Sequence, residues 1–139
     1  MTDPYELDRF LQAQAPVIGT ALAELGAGRK RSHWMWFVFP QLEGLGRSAM
    51  AARYAIGSLA EARAYLTHPV LGPRLVQASE LVLAVPQRTA HDIFGSPDDL
   101  KFHSSLTLFD RAASGQDVFR HCLERFFGGQ PDPQTLGLL

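Results

Sequence analysis

Arg29, Lys30 and Arg31 stand just before the run His33-Trp34-Met35-Trp36-Phe37-Val38-Phe39-Pro40-Gln41. Arginine grips phosphate with a planar fork of donors, and an indole face stacks on a base or carries a cation. These types at this spacing point to an anion or small-ligand site, with Arg29, Arg31, His33, Trp34, Trp36 and Gln41 as candidate binding residues. Packing is the competing explanation. Each large aromatic removes roughly 150–250 Å² from water, so the apolar run Trp34 to Phe39 must be buried. Cations after a helix end are favoured by its dipole in any case. The tract is therefore first a core segment, and a site would form at its polar margins.

A second cluster lies at Lys101 to Thr107. On a helix Lys101 and Ser105 share one face, and Ser104, Thr107 and Arg111 share another. Mid-helix serines compete for backbone hydrogen bonds, so they mark either close helix packing or a polar pocket wall. Lys101 would then supply charge to a phosphate or carboxylate. Glu61 and Glu43 are the only acids near the aromatic motifs. Together with Lys101 they are the candidate catalytic groups, the two acids for general acid–base work; the plainer reading of each acid is a solvated surface charge.

Other chemistries find little support. His33, His68, His91, His103 and His121 never fall four residues apart, and no His-Glu-x-x-His occurs, so no metal site is expected. The sole cysteine, Cys122, sits on an apolar helical stripe and reads as a small buried hydrophobe. No nucleophile elbow, P-loop or dinucleotide glycine fingerprint is present, and no cofactor is implied.

The chain has 139 residues, 46% hydrophobic and 19% charged, with a net charge of -1. That fits one globular domain, residues 1–139, large enough for a core of its own. The neutral balance argues against a nucleic-acid or membrane partner, and nothing names a protein partner. The lone cysteine and the polar N-terminus, without the features of a secretory leader, lead to the expectation of a cytoplasmic protein. The longest apolar run falls far short of the roughly 20 residues needed to span a bilayer.

Helix punctuation positions these residues. Asp3-Pro4-Tyr5-Glu6 reads as a helix start, and Gly26 and Gly28 close a second helix opened by Pro16. Ser48 to Ile56 reads as a short helix, Ser58 opens the next with a capping box, and Pro73 to Leu83 is apolar and helical. Thr89 caps a single turn closed by Gly95, and Ser96-Pro97-Asp98-Asp99 starts the helix that carries Lys101. Asp117 opens an amphipathic helix, and Asp132-Pro133 a last short turn. The expected fold is all-α or nearly so, a compact bundle of about seven short helices. The segment 34–39 is either helical or extended, and Pro40 ends any helix at about Val38.

The string Gly28 to Gln41, with Gly44-Leu45-Gly46, resembles the signature of a bacterial family, the uncharacterised domain-of-unknown-function family 1810, sometimes mislabelled calpastatin. The resemblance extends through Tyr54-Ala55-Ile56, Glu61 to Leu66, His68 to Gly72, Ile93-Phe94-Gly95, Lys101 with Ser104 to Phe109, and Gly129, Asp132 and Thr135-Leu136, so it covers essentially the whole chain. Leu106 departs from it, standing where the family's pattern has methionine, a volume-conserving change. The resemblance implies a helical bacterial protein and supplies no activity. A fainter similarity, Glu61 before an aromatic helix, then Lys101, then Thr107-Leu108-Phe109, is to a helical superfamily that hydrolyses N-glycosidic bonds or removes ADP-ribose.

The resulting expectation is a small-ligand pocket where His33 to Gln41 meets the Lys101 to Thr107 helix. Its ligand would be nucleotide- or ADP-ribose-like, and N-glycosidic hydrolysis a possible reaction. The alternative is a non-catalytic protein-interaction or regulatory module whose aromatics serve only the core.

Overall fold

Asp3 organises the first turn by accepting from two backbone N–H groups, those of Leu7 at 2.8 Å and Asp8 at 3.0 Å. Helix α1 then runs Asp8–Gln14, a few residues later than the Asp3-Pro4 signal suggests, because Glu6 adopts a left-handed φ of 53° and interrupts the turn. The structure is a computed structural model that describes residues 3–139. The remaining helices are α2 (Ile18–Gly26), α3 (Met35–Val38), α4 (Ala49–Arg53), α5 (Leu59–Thr67), α6 (Leu71–Ala84), α7 (Ala90–Phe94), α8 (Asp98–Ala112), α9 (Val118–Phe127) and α10 (Pro133–Leu138). The fold is an all-α bundle; three of the ten helical segments among the described residues, α3, α4 and α7, hold only four or five residues.

Local chemistry places most boundaries. Thr89 and Asp92 form a reciprocal capping box at α7, and Gly95 closes that turn at φ 73°. Asp132 caps α10 by accepting from Thr135 N–H. The aromatic tract is a helical turn, not a strand, and it stops at Val38 because Pro40 holds Phe39 in non-helical angles. The segment read as one helix from Ser48 to Ile56 is shorter than expected. It ends at Arg53, and Ile56 instead makes a parallel bridge with Leu42.

Helix α8 is the centre of the bundle and packs against α5, α7, α9 and α10. Phe39 packs edge-on against both Phe94 (5.8 Å) and Phe102 (5.2 Å), which stack on each other at 4.5 Å. Tyr65 meets Phe10 and Phe109 at 5.2 and 5.3 Å. Such pairs add about 0.5–1.5 kcal/mol each beyond area burial. Gln14, although buried, is satisfied: its amide donates to Phe37 O and Tyr65 Oη, and its carbonyl accepts from Arg74. Close approach also fixes one glycine, since a Cβ on Gly72 would lie 2.0 Å from the Leu66 carbonyl oxygen where α5 turns into α6. No helix among the described residues is long and apolar enough to cross a membrane.

Candidate functional site

The aromatic tract is held by a carboxylate that sequence reading passed over. Glu24, on α2, accepts from Arg31 N–H, Ser32 N–H, Ser32 Oγ and the Trp34 indole N–H, all between 2.7 and 3.0 Å. Burial pushes this carboxyl up, but the four hydrogen bonds outweigh it and hold the group down to about 2. Trp34 is fully buried, so its ring is unavailable for stacking on a ligand. Lys30 lies over that ring at 5.1 Å and pairs with Asp98 at 2.8 Å. His33 is exposed, Gln41 is half-buried, and the Gln41 backbone carbonyl accepts from Ile56 N–H.

The meeting of the tract with α8 exists, but as a packed contact. Lys101 Nζ sits 4.9 Å from the centroid of the half-buried Trp36 and 3.5 Å from Asp98 Oδ1. Ser105 is buried and its hydroxyl has no hydrogen-bond partner. The neighbouring hydroxyls are spent on the C-terminal segment. Asp132 accepts from Ser104 Oγ and Thr135, while its own N–H donates to Thr107 Oγ1 at 2.8 Å. None of the five principal cavities is lined by Trp34, Trp36, Lys101 or Ser105.

The two candidate acids, by contrast, share a cavity of about 490 Å³ bounded by α1, α4 and α5. Arg9 builds its wall. The Arg9 guanidinium donates to the carbonyls of Tyr5, Glu6, Arg53 and Ala55, and its Nη2 pairs with Glu61 Oε2 at 2.9 Å. All five of its N–H donors are thereby used. Glu61 Oε1 accepts from Gly57 N–H at 3.1 Å, so this acid reaches past its own capping-box partner, Ser58, to the residue before it. Glu43 is held opposite by the bridge, its N–H donating to Ile56 O at 2.8 Å. A methyl group placed on Gly57 would lie 3.4 Å from Glu61 Oε1 and 3.9 Å from Glu43 Oε2, so the carboxylates flank one glycine. Glu61 is buried and Glu43 exposed. Asp3 and Glu6 add further negative charge to the rim, and Arg53 is the exposed cation there.

Arg29 and Arg31 lie elsewhere, exposed along a groove of about 430 Å³ at the end of α2. Sequence reading missed the third arginine of that groove, Arg88, and also Arg9; neither sits in a recognisable motif, and both reach their positions through tertiary contacts. Burial pushes the Cys122 thiol up to about 12, Arg125 opposing it only in part. Among the described residues no group of three or more His, Cys, Asp and Glu side chains is placed to hold a metal.

Comparison with other proteins gives kinship without an activity. Nothing among curated proteins matches the chain. The conserved hypothetical protein Rv1873 from Mycobacterium tuberculosis, known from a crystal structure, is similar over 99% of this chain and 98% of its own, at 55% identity and a TM-score of 0.97. Residues 4–139 match the family described as protein of unknown function (DUF1810). With its helical fold and its signature from Gly28 to Gln41, the chain belongs to the DUF1810 family.

Proposed function

We propose that this chain binds a small ribose-bearing ligand, nucleotide- or ADP-ribose-like, in the cavity between α1, α4 and α5, and hydrolyses an N-glycosidic bond there, in the cytoplasm. One observation carries the reading: Glu61 and Glu43 face one cavity from either side of Gly57. Cleavage of a glycosidic bond passes through an oxocarbenium-like state, whose positive charge a fixed carboxylate stabilises. Glu61 suits that task, since Arg9 and Gly57 N–H lock its position while each oxygen keeps an unused lone pair. Glu43, free of side-chain partners among the described residues, suits the base that takes a proton from water. The water oxygen adds to the anomeric carbon, the C–N electron pair leaves with the base, and solvent protonates that base. A phosphate on the ligand would turn to Arg53, because Arg9 has no donor left.

A thermal-shift and product screen of nucleosides, nucleotides and ADP-ribose tests the reading. A ligand at a hundred times its Kd should add about 2.7 kcal/mol of stability, and hydrolysis should release free base. If no ribose-bearing compound shifts the protein, the reading fails. The alternative, an interaction or regulatory module, rests on the exposed apolar side chains Leu100, Leu138 and Leu139.

A further inference from the structure

Gly28 decides how the end of α2 meets the chain before α7. Its φ is +75°, and a Cβ there would lie 2.9 Å from Val85 Cγ1 and 3.4 Å from Arg88 Cδ. Only glycine combines that left-handed turn with such close approach. Two residues on, Lys30 N–H donates to Ile93 O at 2.7 Å and ties the basic segment to α7. These contacts bring Arg88, from a distant part of the sequence, into one groove with Arg29 and Arg31.

The groove has a defined shape and charge. Its volume is about 430 Å³, within the range of small-molecule sites. Thr20, Ala23 and Ala27 lie along one face of α2 and form a shallow, largely apolar shelf. Three guanidinium groups stand around it. The ion pairs among the described residues join Arg9 to Glu61, Lys30 and Lys101 to Asp98, His91 to Asp99 and Arg120 to Asp110, so none of these three arginines is paired with a carboxylate. Arg88 gives one N–H to the Asp92 carbonyl at 3.1 Å and retains its others. Glu24 is the one acid in the lining, and its oxygens already hold four protein hydrogen bonds. It lowers the local charge without competing for the arginine forks.

We propose that this groove binds a small phosphate-bearing molecule, its phosphate held by Arg29, Arg31 and Arg88 and its uncharged part resting on the Ala23–Ala27 shelf. A phosphate monoester carries about -1.5 to -2 charge near pH 7 and presents three acceptor oxygens, which matches several arginine forks; a single carboxylate would engage one. Three of the chain's 13 lysines and arginines line this groove, and the net charge is -1, so a compact ligand suits it better than a nucleic-acid backbone, which needs an extended basic track. The groove shares no lining residue with the acid cavity, and the inference stands independently of the proposed hydrolysis.

Calorimetric titration of the whole protein with phenyl phosphate, inorganic phosphate and phenol, at low and moderate salt, tests it. Phenyl phosphate should bind more tightly than inorganic phosphate, and phenol should not bind. Arg31→Gln or Arg88→Gln alone should weaken phenyl phosphate about tenfold, and the pair about a hundredfold. Both side chains are exposed, so the variants should keep the melting temperature, which a parallel scan verifies. Glu61→Gln should bind phenyl phosphate like the unmodified chain, which separates this groove from the acid cavity. Unchanged affinity in the double variant overturns the proposal. So does binding of a single-stranded oligonucleotide, with steep salt dependence, by a protein that ignores phenyl phosphate.

Discussion

Glu24, half-buried, and Glu61, buried, are both glutamates held by several of the protein's own donors, yet the fold uses them in opposite ways. Glu24 receives four hydrogen bonds, from a backbone turn, a hydroxyl and an indole. A carboxylate offers about four lone-pair positions; here three donors saturate Oε1 and a fourth takes one side of Oε2, so a single position is left. Glu61 receives two, from Arg9 and Gly57, and faces a cavity that a second acid also lines. The difference teaches that hydrogen bonds fixing a carboxylate do not by themselves mark a functional acid. What separates the two is the unused acceptor capacity that remains after the protein's own donors are counted. The aromatic signature belongs on the Glu24 side of that division. Its conspicuous residues lock the core, and the open chemistry lies where the sequence is quieter.

The largest effect expected from breaking this contrast is at Glu24. Glu24→Ala leaves the buried Trp34 indole N–H and two backbone N–H groups without their acceptor, and should cost about 3 kcal/mol in urea unfolding. A loss below about 0.5 kcal/mol, the range of an ordinary surface change, would dissolve the distinction. Asp132→Ala should come next, at about 2 kcal/mol, because it uncaps α10 and strips the buried Thr135 hydroxyl of its acceptor. Hydrogen exchange should then rise first in residues 133–138.

Acid should act through the same residue. The folded-state pKa of Glu24 is lowered from 4.5 to about 2, so its contribution is complete above about pH 4.5 and fades as pH falls through 2. Asp132 is lowered too, burial being outweighed by bonds from Thr135 and Ser104, and loses its contribution in the same direction. Stability measured against pH should therefore fall on acidification, and Glu24→Gln should flatten that fall. A variant as acid-sensitive as the unmodified chain would show that the four bonds do not carry the stability.

The smallest stability effects are expected in the cavity. Glu43→Gln should change unfolding by less than about 0.5 kcal/mol, as for an exposed position, while abolishing release of base from any ribosylated substrate. Equal turnover with and without the Glu43 carboxylate would remove it from the chemistry.

The sequence's legibility followed the range of the interactions. Thr89, Asp132 and Pro40 act on residues one to three positions away, and their caps and stops are where sequence reading places them. The acids Glu43 and Glu61 were visible as residue types. Their juxtaposition was not, because it depends on a single bridge from Leu42 to Ile56, the last residue of a segment that reads as helix. Arg9 and Arg88 carry no recognisable signal, since the neighbours that give them their place, Arg53, Ala55 and Glu61 for Arg9 and Gly28 for Arg88, are distant in sequence. Glu24 was hidden for a similar reason: one polar residue on an apolar helix becomes a hub only after Gly28 turns the chain back over it.

The most direct test is a calorimetric titration of ADP-ribose into the unmodified protein, Glu24→Gln and Glu61→Gln, under conditions where all three are folded. The expected pattern is measurable binding by the unmodified chain, affinity kept within about twofold in Glu24→Gln, and a loss of about tenfold or more in Glu61→Gln, the scale of one charge-assisted contact. Equal affinities in the two variants, or no binding by the unmodified chain, would contradict the assignment of Glu24 to the fold and Glu61 to the ligand.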